Sequence, residues 1–365
     1  MNNVQILEAA TCTIHIRNLI DRNIYDLVSG RYIRWEIMRA KDLTGRILNR
    51  SNRMIVLEAY KRGVEITILP NKRFKMAYNG KSYIIRSGMI VNSYNTPLAI
   101  EVTNRKEITS RILRGQGFPA PENVVFSNED VGRAWSWAQP ILPVVIKPYN
   151  DAKGKNVFVK ITDYDEFVHC FHKVGENHKE VLIEEYISGK EYRFTYVKNE
   201  IVGVAHRIPA NVTGDGISTI TELVEKKNKE REQRKNPIHI KIKLDEEIER
   251  VLSKSNYTFD TIPEDGEVVH LRSNSNVSTG GDAIDVTDDI SSEIKETVRK
   301  AVRAIPGARV CGVDVLINGD NIHILEMNVG PLGPMLTMHH FPWVGKKRNV
   351  IGKVVDALFP ETKEE

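Results

Sequence analysis

The chain has 365 residues, 41% hydrophobic and 27% charged, with 52 Lys and Arg against 48 Asp and Glu. That balance excludes wholesale disorder, and the length allows more than one core. No stretch reaches the roughly 18 to 20 unbroken apolar residues of a membrane span, and the N-terminus has no signal-peptide cleavage pattern, so a cytoplasmic protein is expected. The charge is uneven: residues 1–100 hold 16 basic and 7 acidic side chains, which leaves 36 and 41 for the rest. Cys12, Cys170 and Cys311 are far apart, with no CxxC spacing, and read as reduced structural thiols.

In chain order the pattern is mixed α and β, without repeats. Met54–Arg62 has helical spacing, Gly63 stops it, and Val64–Leu69 alternates like a strand. Asn79-Gly80 between two strand-like runs predicts a hairpin. Lys106–Gln116 reads as a helix that ends at Gly117, and FPAP forces an extended exit. Val144-Val145-Ile146 and Val181-Leu182-Ile183 read as short buried strands. The run Glu225–Lys235 reads as one solvated helix face without a function. Val310–Ile317 and Ile322–Met327 read as paired strands around Asn318-Gly319-Asp320.

That last pair carries the most chemistry. Side chains alternate along a strand, so Glu326 and Asn328 share a face, and Asp314 on the neighbouring strand can reach the same face. Two carboxylates and an amide oxygen suit magnesium, although such a set taken alone is more often surface polarity. Upstream, Lys106 and Lys147 could meet phosphate oxygens as point charges. The loop YNDAKGKN, with Lys153 and Gly154, could lay backbone N–H groups over phosphates, although as a phosphate loop it is poor in glycine. Glu184, Tyr186 and Ile187 end a strand that could offer backbone groups to an adenine edge, and Glu191 stands where ribose hydroxyls could be held. The small residues Ser278, Thr279, Gly280 and Gly281 suggest a tight loop around a substrate anion. His339, His340, Lys346, Lys347 and Arg348 form a basic cluster that could bind a substrate carboxylate.

The order Lys106, Lys147, Glu184, Glu191, Asp314, Glu326, Asn328 resembles the ATP-grasp superfamily from about Asn92 to Phe359. The stretches RIPANVTGDGISTITELV, LRSNSNVSTGGDAIDVTD and GVDVLINGDNIHILEMNVGP are more specific. They resemble the ATP-grasp domain of cyanophycin synthetase and, still more, the glutathione synthetase module of bifunctional glutamate–cysteine ligase/glutathione synthetases. The resemblance implies an α+β or α/β ATP-grasp fold, with an N-terminal α/β domain (1–103), a linker helix and central lid domain (104–200) and a C-terminal catalytic domain (201–365). It implies that Lys106 and Lys147 contact the nucleotide phosphates, that Tyr149–Asn156, with Lys153 and Gly154, form a mobile lid loop over the nucleotide, that Glu184, Tyr186 and Ile187 line the adenine site, and that Glu191 holds the ribose. Asp314, Glu326 and Asn328 would hold two magnesium ions, and Arg272 would steady the transferred phosphoryl group. Arg193 and Arg207 match basic positions of the pattern without a settled division of labour. One departure stands out: some relatives have an arginine two residues before the first metal aspartate, and here that residue is Gly312.

The implied chemistry is ATP-dependent carboxylate–amine ligation through an acyl-phosphate, with ADP and phosphate released. No convincing Ser/His/Asp or Cys/His arrangement competes with it. Expected cofactors are ATP and magnesium. Expected partners are small amino-acid or peptide substrates and a second copy of the chain in a homodimer, with no nucleic acid and no membrane. The competing reading is a nucleotide-binding sensor or scaffold without ligase activity. A nucleic-acid binder built on Arg31, Arg34, Arg39, Arg46, Arg50 and Arg53 ranks below both, because those arginines are spread out and lack aromatic interleaving.

Overall fold

The computed structural model describes residues 50–69, 73–86, 89–91, 94–149, 156–329 and 333–363. Helix α1 (Arg50–Lys61) leads into the antiparallel strands β1 (Glu65–Leu69), β2 (Arg73–Tyr78), β3 (Lys81–Arg86) and β4 (Met89–Val91). The β2–β3 turn is Asn79-Gly80, with φ of 44° and 78°, the positive pair that a tight two-residue hairpin requires. Arg31, Arg34, Arg39, Arg46 and Cys12 lie outside the described residues; Arg50 and Arg53 are on α1.

Two helices, α2 (Pro97–Asn104) and α3 (Lys106–Gly115), follow. They lead to a second sheet, in order β5-β8-β6-β7, made of β5 (Asn123–Ser127), β6 (Val144–Pro148), β7 (Phe158–Ile161) and β8 (Glu180–Glu185). Helices α4 (Val131–Ala138) and α5 (Tyr164–Gly175) cover it. The α5 sequence dictates this placement: Asp163 caps its N-terminus by accepting the Glu166 N–H at 2.9 Å. Phe167, Cys170, Phe171 and Val174 then recur at i, i+3, i+4 and i+7 and are all buried.

The third sheet, β13-β10-β9-β14-β15, is antiparallel throughout and positions the site. It contains β9 (Lys190–Val197), β10 (Glu200–Ile208), β13 (Asp282–Asp285), β14 (Val310–Asn318) and β15 (Asn321–Asn328). β9 falls within residues 104–200, the expected lid segment, yet it lies at the centre of this sheet. Between β10 and β13 come β11 (Asn211–Thr213), α6 (Ile220–Arg234), α7 (Glu246–Ser253) and β12 (Val268–His270). α8 (Ser292–Arg303) covers the apolar face of the third sheet. α9 (Gly333–His340) and α10 (Val350–Leu358) end the described chain, and α10 shares a core with α1 and the first sheet.

Buried Asn95 fixes how the first segment meets the third sheet. Its side-chain oxygen accepts the N–H groups of Arg309 and Val310 at 2.8 and 2.9 Å, and its amide donates to the carbonyls of Val310 and Val329, both at 2.9 Å. Each half of one amide thus satisfies two backbone groups that would be costly to bury alone.

The charge run on α6 is not all solvated. Lys227 and Arg231 reach inward to Asp282, both at 2.7 Å, and the Arg231 side chain is 1% exposed. The helix is therefore pinned to β13 by charges that the sequence pattern alone would leave in water. No helix among the described residues is long and apolar enough to cross a membrane.

Candidate active site

Alternation on the third sheet sorts its chemistry by face. Tyr192, Phe194 and Tyr196 of β9, with Val313 and Val315 of β14 and Met327 of β15, belong to the core on one face. The opposite face is polar. In register across the strands lie Arg207 against Glu191, Asp314 against Arg193, and Asp314 against Glu326. Gly312 faces Asn328 one step along. The expected set of Asp314, Glu326 and Asn328 is thus gathered on one face of adjacent strands. Between Asp314 and Val315 the register slips against Glu326 and Ile324, an irregularity that leaves Leu325 as the extra residue; such bulges commonly re-aim side chains beside functional sites.

The charges on this face are closely interlocked. Arg193 grips Asp314 with two N–H groups, Nε to Oδ1 and Nη2 to Oδ2, the latter at 2.7 Å. Both side chains are under 10% exposed. Arg207 pairs with Glu191 and reaches Asp314 Oδ2 at 3.5 Å. Burial alone would raise the Asp314 carboxyl, but the two arginines outweigh it and hold it below the ordinary carboxylate range. Glu326 is more open, 34% exposed, with Lys106 Nζ at 4.0 Å from Oε1. Ser275, inside the stretch LRSNSNVSTGGDAIDVTD but given no role of its own by it, donates its hydroxyl to Glu191 and so draws the Leu271–Asn276 segment onto the sheet. Among the described residues no cluster of three His, Cys, Asp or Glu side chains is arranged for a metal ion. The donor set that fits a hard divalent cation is two carboxylates with the Asn328 amide oxygen.

The other expected contacts sit on the second sheet and the loops. Lys147 bonds Glu184 Oε1 at 2.6 Å, and Glu184 also accepts from Asn123 Nδ2 at 3.1 Å. Tyr186 and Ile187 are half-buried just past β8. The N–H groups of Glu185 and Tyr186 are bonded to the carbonyls of Glu122 and Pro143 at 2.8 and 3.1 Å. Lys153 and Gly154 lie outside the described residues. Arg272 pairs with Asp245 and keeps its Nε buried without a partner. Ser278 is exposed and Thr279 half-buried, in a single turn. Gly280 is left-handed at φ 99°, and its carbonyl accepts from Arg231 at 2.8 Å. A Cβ on Gly281 would lie 2.7 Å from the Ile208 carbonyl oxygen and 2.9 Å from that of Asn276, so close backbone packing alone accounts for this glycine.

Within the C-terminal basic cluster, Arg348, Lys346 and His339 are engaged by the protein itself, whereas Lys347 is exposed. Arg348 is forked by Asp285, at 2.6 Å from Oδ2, and bonds Asp288 at 3.0 Å; Lys346 bonds Asp288 at 2.6 Å. His339 is fully buried, with Nε2 at 2.9 Å from the Thr195 hydroxyl. Burial, with Arg193 nearby, pushes the His339 imidazole down to about 3, and burial pushes His239 down to about 4. Below the ordinary histidine value near 6.5 the unfolded chain takes up protons that these folded sites refuse. Stability should therefore fall as pH drops below about 6.5, by up to ~1.4 kcal/mol per pH unit for each such histidine. Urea unfolding between pH 7 and 5 checks this: His339→Leu should flatten the slope, and an unchanged slope would contradict it.

No family model matches the chain. The glutathione biosynthesis bifunctional protein GshAB of Clostridium perfringens is 32% identical over 364 residues, covering 93% of this chain and 46% of that protein. The GshAB protein of Mannheimia succiniciproducens is 33% identical over 333 residues, covering 85% and 42%. The crystal structure of a bifunctional glutathione synthetase from Pasteurella multocida superposes with a TM-score of 0.60 at 30% identity, covering 85% of this chain and 43% of that one. The chain spans about half the length of the curated relatives it matches. In sequence and fold the chain is close to the glutathione synthetase module of these bifunctional proteins, with an ATP-grasp fold.

Proposed function

We propose that the protein is an ATP-dependent carboxylate–amine ligase that forms a peptide or amide bond, with a glutathione synthetase-like reaction, a γ-glutamyl dipeptide joined to glycine, as the nearest specific case. The observation that carries this reading is the shared polar face of β9, β10, β14 and β15, where Asp314, Glu326 and Asn328 stand in register beside Arg193, Arg207 and Glu191. The likeness to bifunctional glutathione-biosynthesis proteins supports it.

A carboxylate is a poor electrophile. In the proposed reaction an oxygen of the substrate carboxylate attacks the γ-phosphorus of ATP, the bond to the β-phosphate oxygen breaks, and ADP leaves. The amine nitrogen then attacks the acyl-phosphate carbon, the C–O bond to phosphorus breaks, and phosphate departs as the nitrogen loses a proton. Such steps gain mainly from positioning and charge neutralisation. Magnesium, held by Asp314, Glu326 and Asn328, would supply charge neutralisation at the phosphates. Lys106 and Lys147 are assigned to the phosphates as well, with Lys153 and Gly154 in the lid loop. Glu184, Tyr186 and Ile187 are assigned to the base and Glu191 to the ribose. Arg272 is assigned to the transferred phosphoryl group, and Ser278 and Thr279 to the substrate. Arg193 acts through Asp314 as a positioning residue, because its guanidinium is buried against that carboxylate. Arg207 bridges Glu191 and Asp314 and so couples the ribose position to the metal position.

Incubation with ATP, magnesium and paired pools of dipeptides and amino acids tests the reading. Phosphate should be released only when both members of a pair are present. Tight ATP binding with no release across a broad pool would favour a nucleotide-binding sensor instead.

A further inference from the structure

A cavity of about 690 Å³ lies between the second sheet's helix α5 and the segment that joins α6 to α7, a volume typical of small-molecule pockets. His169 and Lys173 on α5 form one wall; Lys243, Arg272, Ser278 and Thr279 form the other. Its lining carries five cationic side chains, Lys173, Lys241, Lys243, Arg250 and Arg272, against two carboxylates, Asp245 and Glu247. Both carboxylates are already committed, Asp245 to Arg272 and Glu247 to Arg250. Lys241 and Lys173 pair with Glu232 and Glu176, but these pairs are about half-exposed on both sides, and such surface pairs exchange at little cost. Asp245 and Glu247 in turn occupy Arg272 and Arg250, so the three lysines give the cavity its excess of positive charge, and Lys243 is the one of them without an ion pair among the described residues. Arg272, which the ligase reading assigns to the transferred phosphoryl group, and Ser278 and Thr279, which it assigns to the substrate, stand in the same wall as Lys243.

We propose that Lys243, together with Lys173 and His169 across the cavity, determines specificity by receiving a carboxylate of the substrate other than the one that reacts. A substrate filling the cavity then touches α5 and the α6–α7 segment at once, so its second anionic group draws the two walls together. This assignment of roles rests on the ligase reading; the anion site itself can be measured without turnover.

The probe is tricarballylate, a small tricarboxylate, titrated calorimetrically into the full chain with ADP and magnesium present. The Lys173→Glu/Lys243→Glu double variant should bind it at least tenfold more weakly, with ADP affinity unchanged as the control for folding. In turnover with an active substrate pair, Lys243→Gln should raise KM for the carboxylate substrate and leave kcat as it was. A parent protein that does not bind the probe, or a double variant that binds it equally well, would overturn the proposal. Phosphate release in the pooled assay with lysine-independent probe binding sinks the anion site alone. Lysine-dependent probe binding without phosphate release from any pair sinks the ligase reading and leaves the anion site standing.

Discussion

Arg193→Gln is expected to lower the stability of the protein by roughly 3–5 kcal/mol, the usual cost of stripping one partner from a buried ion pair. Asp314 would keep Arg207, at 3.5 Å, and the field of Lys106, in a site where both original partners are under 10% exposed. Arg193→Lys should recover part of the loss, because an ammonium restores the charge but cannot fork both carboxylate oxygens. The double change Arg193→Met/Asp314→Leu should be more stable than Arg193→Gln, since removing both charges leaves neither one buried alone. Urea unfolding of the four proteins measures this. A loss below about 1 kcal/mol for Arg193→Gln, the range of exposed pairs, would mean that Asp314 does not depend on that guanidinium. For the same reason Asp314→Asn cannot separate chemistry from folding: it leaves two guanidinium groups facing a neutral amide.

Glu326→Gln makes that separation. Glu326 is about one-third exposed, and its described ion pair is with Lys106 at 4.0 Å, so the unfolding midpoint should move by no more than the ~1 kcal/mol of a surface pair. Turnover should nevertheless fall by a factor on the order of 100 to 1,000, as when one preorganised electrostatic contact to a transition state is removed. Steady-state phosphate release, read beside the unfolding curve, checks both halves. Retained turnover would remove Glu326 from the proposed metal set.

Part of this site is legible in local sequence pattern. The β14–β15 hairpin follows from period-two alternation and from Asn318-Gly319, where Gly319 takes φ 60° at the first loop position. Alternation by itself puts Glu326 and Asn328 on one face, but Asp314 joins them only because the bulge at Leu325 shifts the register by one residue, and no local pattern announces that bulge. What neighbours the hairpin is not legible, because β9 pairs with β14 across 121 residues of sequence at Arg193 and Asp314, and no local period encodes such a pairing. Arg193 consequently reads as one more basic motif position, and Ser275, though inside the stretch LRSNSNVSTGGDAIDVTD, carries no individual signal. Burial of charge is the other blind spot. Lys227 and Arg231 sit in a run with the composition of a solvated helix, and they turn inward because Asp282, some 50 residues later, waits on β13. The pairing of Arg348 is hidden from the sequence by the same mechanism: Asp285 arrives on another strand to occupy it.

The central claim is that a carboxylate is activated by phosphorylation before the amine attacks, and isotope transfer tests it most directly. A substrate pair that releases phosphate should be run with ¹⁸O in both oxygens of the reacting carboxylate. The phosphate formed should carry one ¹⁸O per molecule, because the oxygen that attacks the γ-phosphorus leaves with it when the amide bond forms. Phosphate free of the label, with amide product present, would contradict the account.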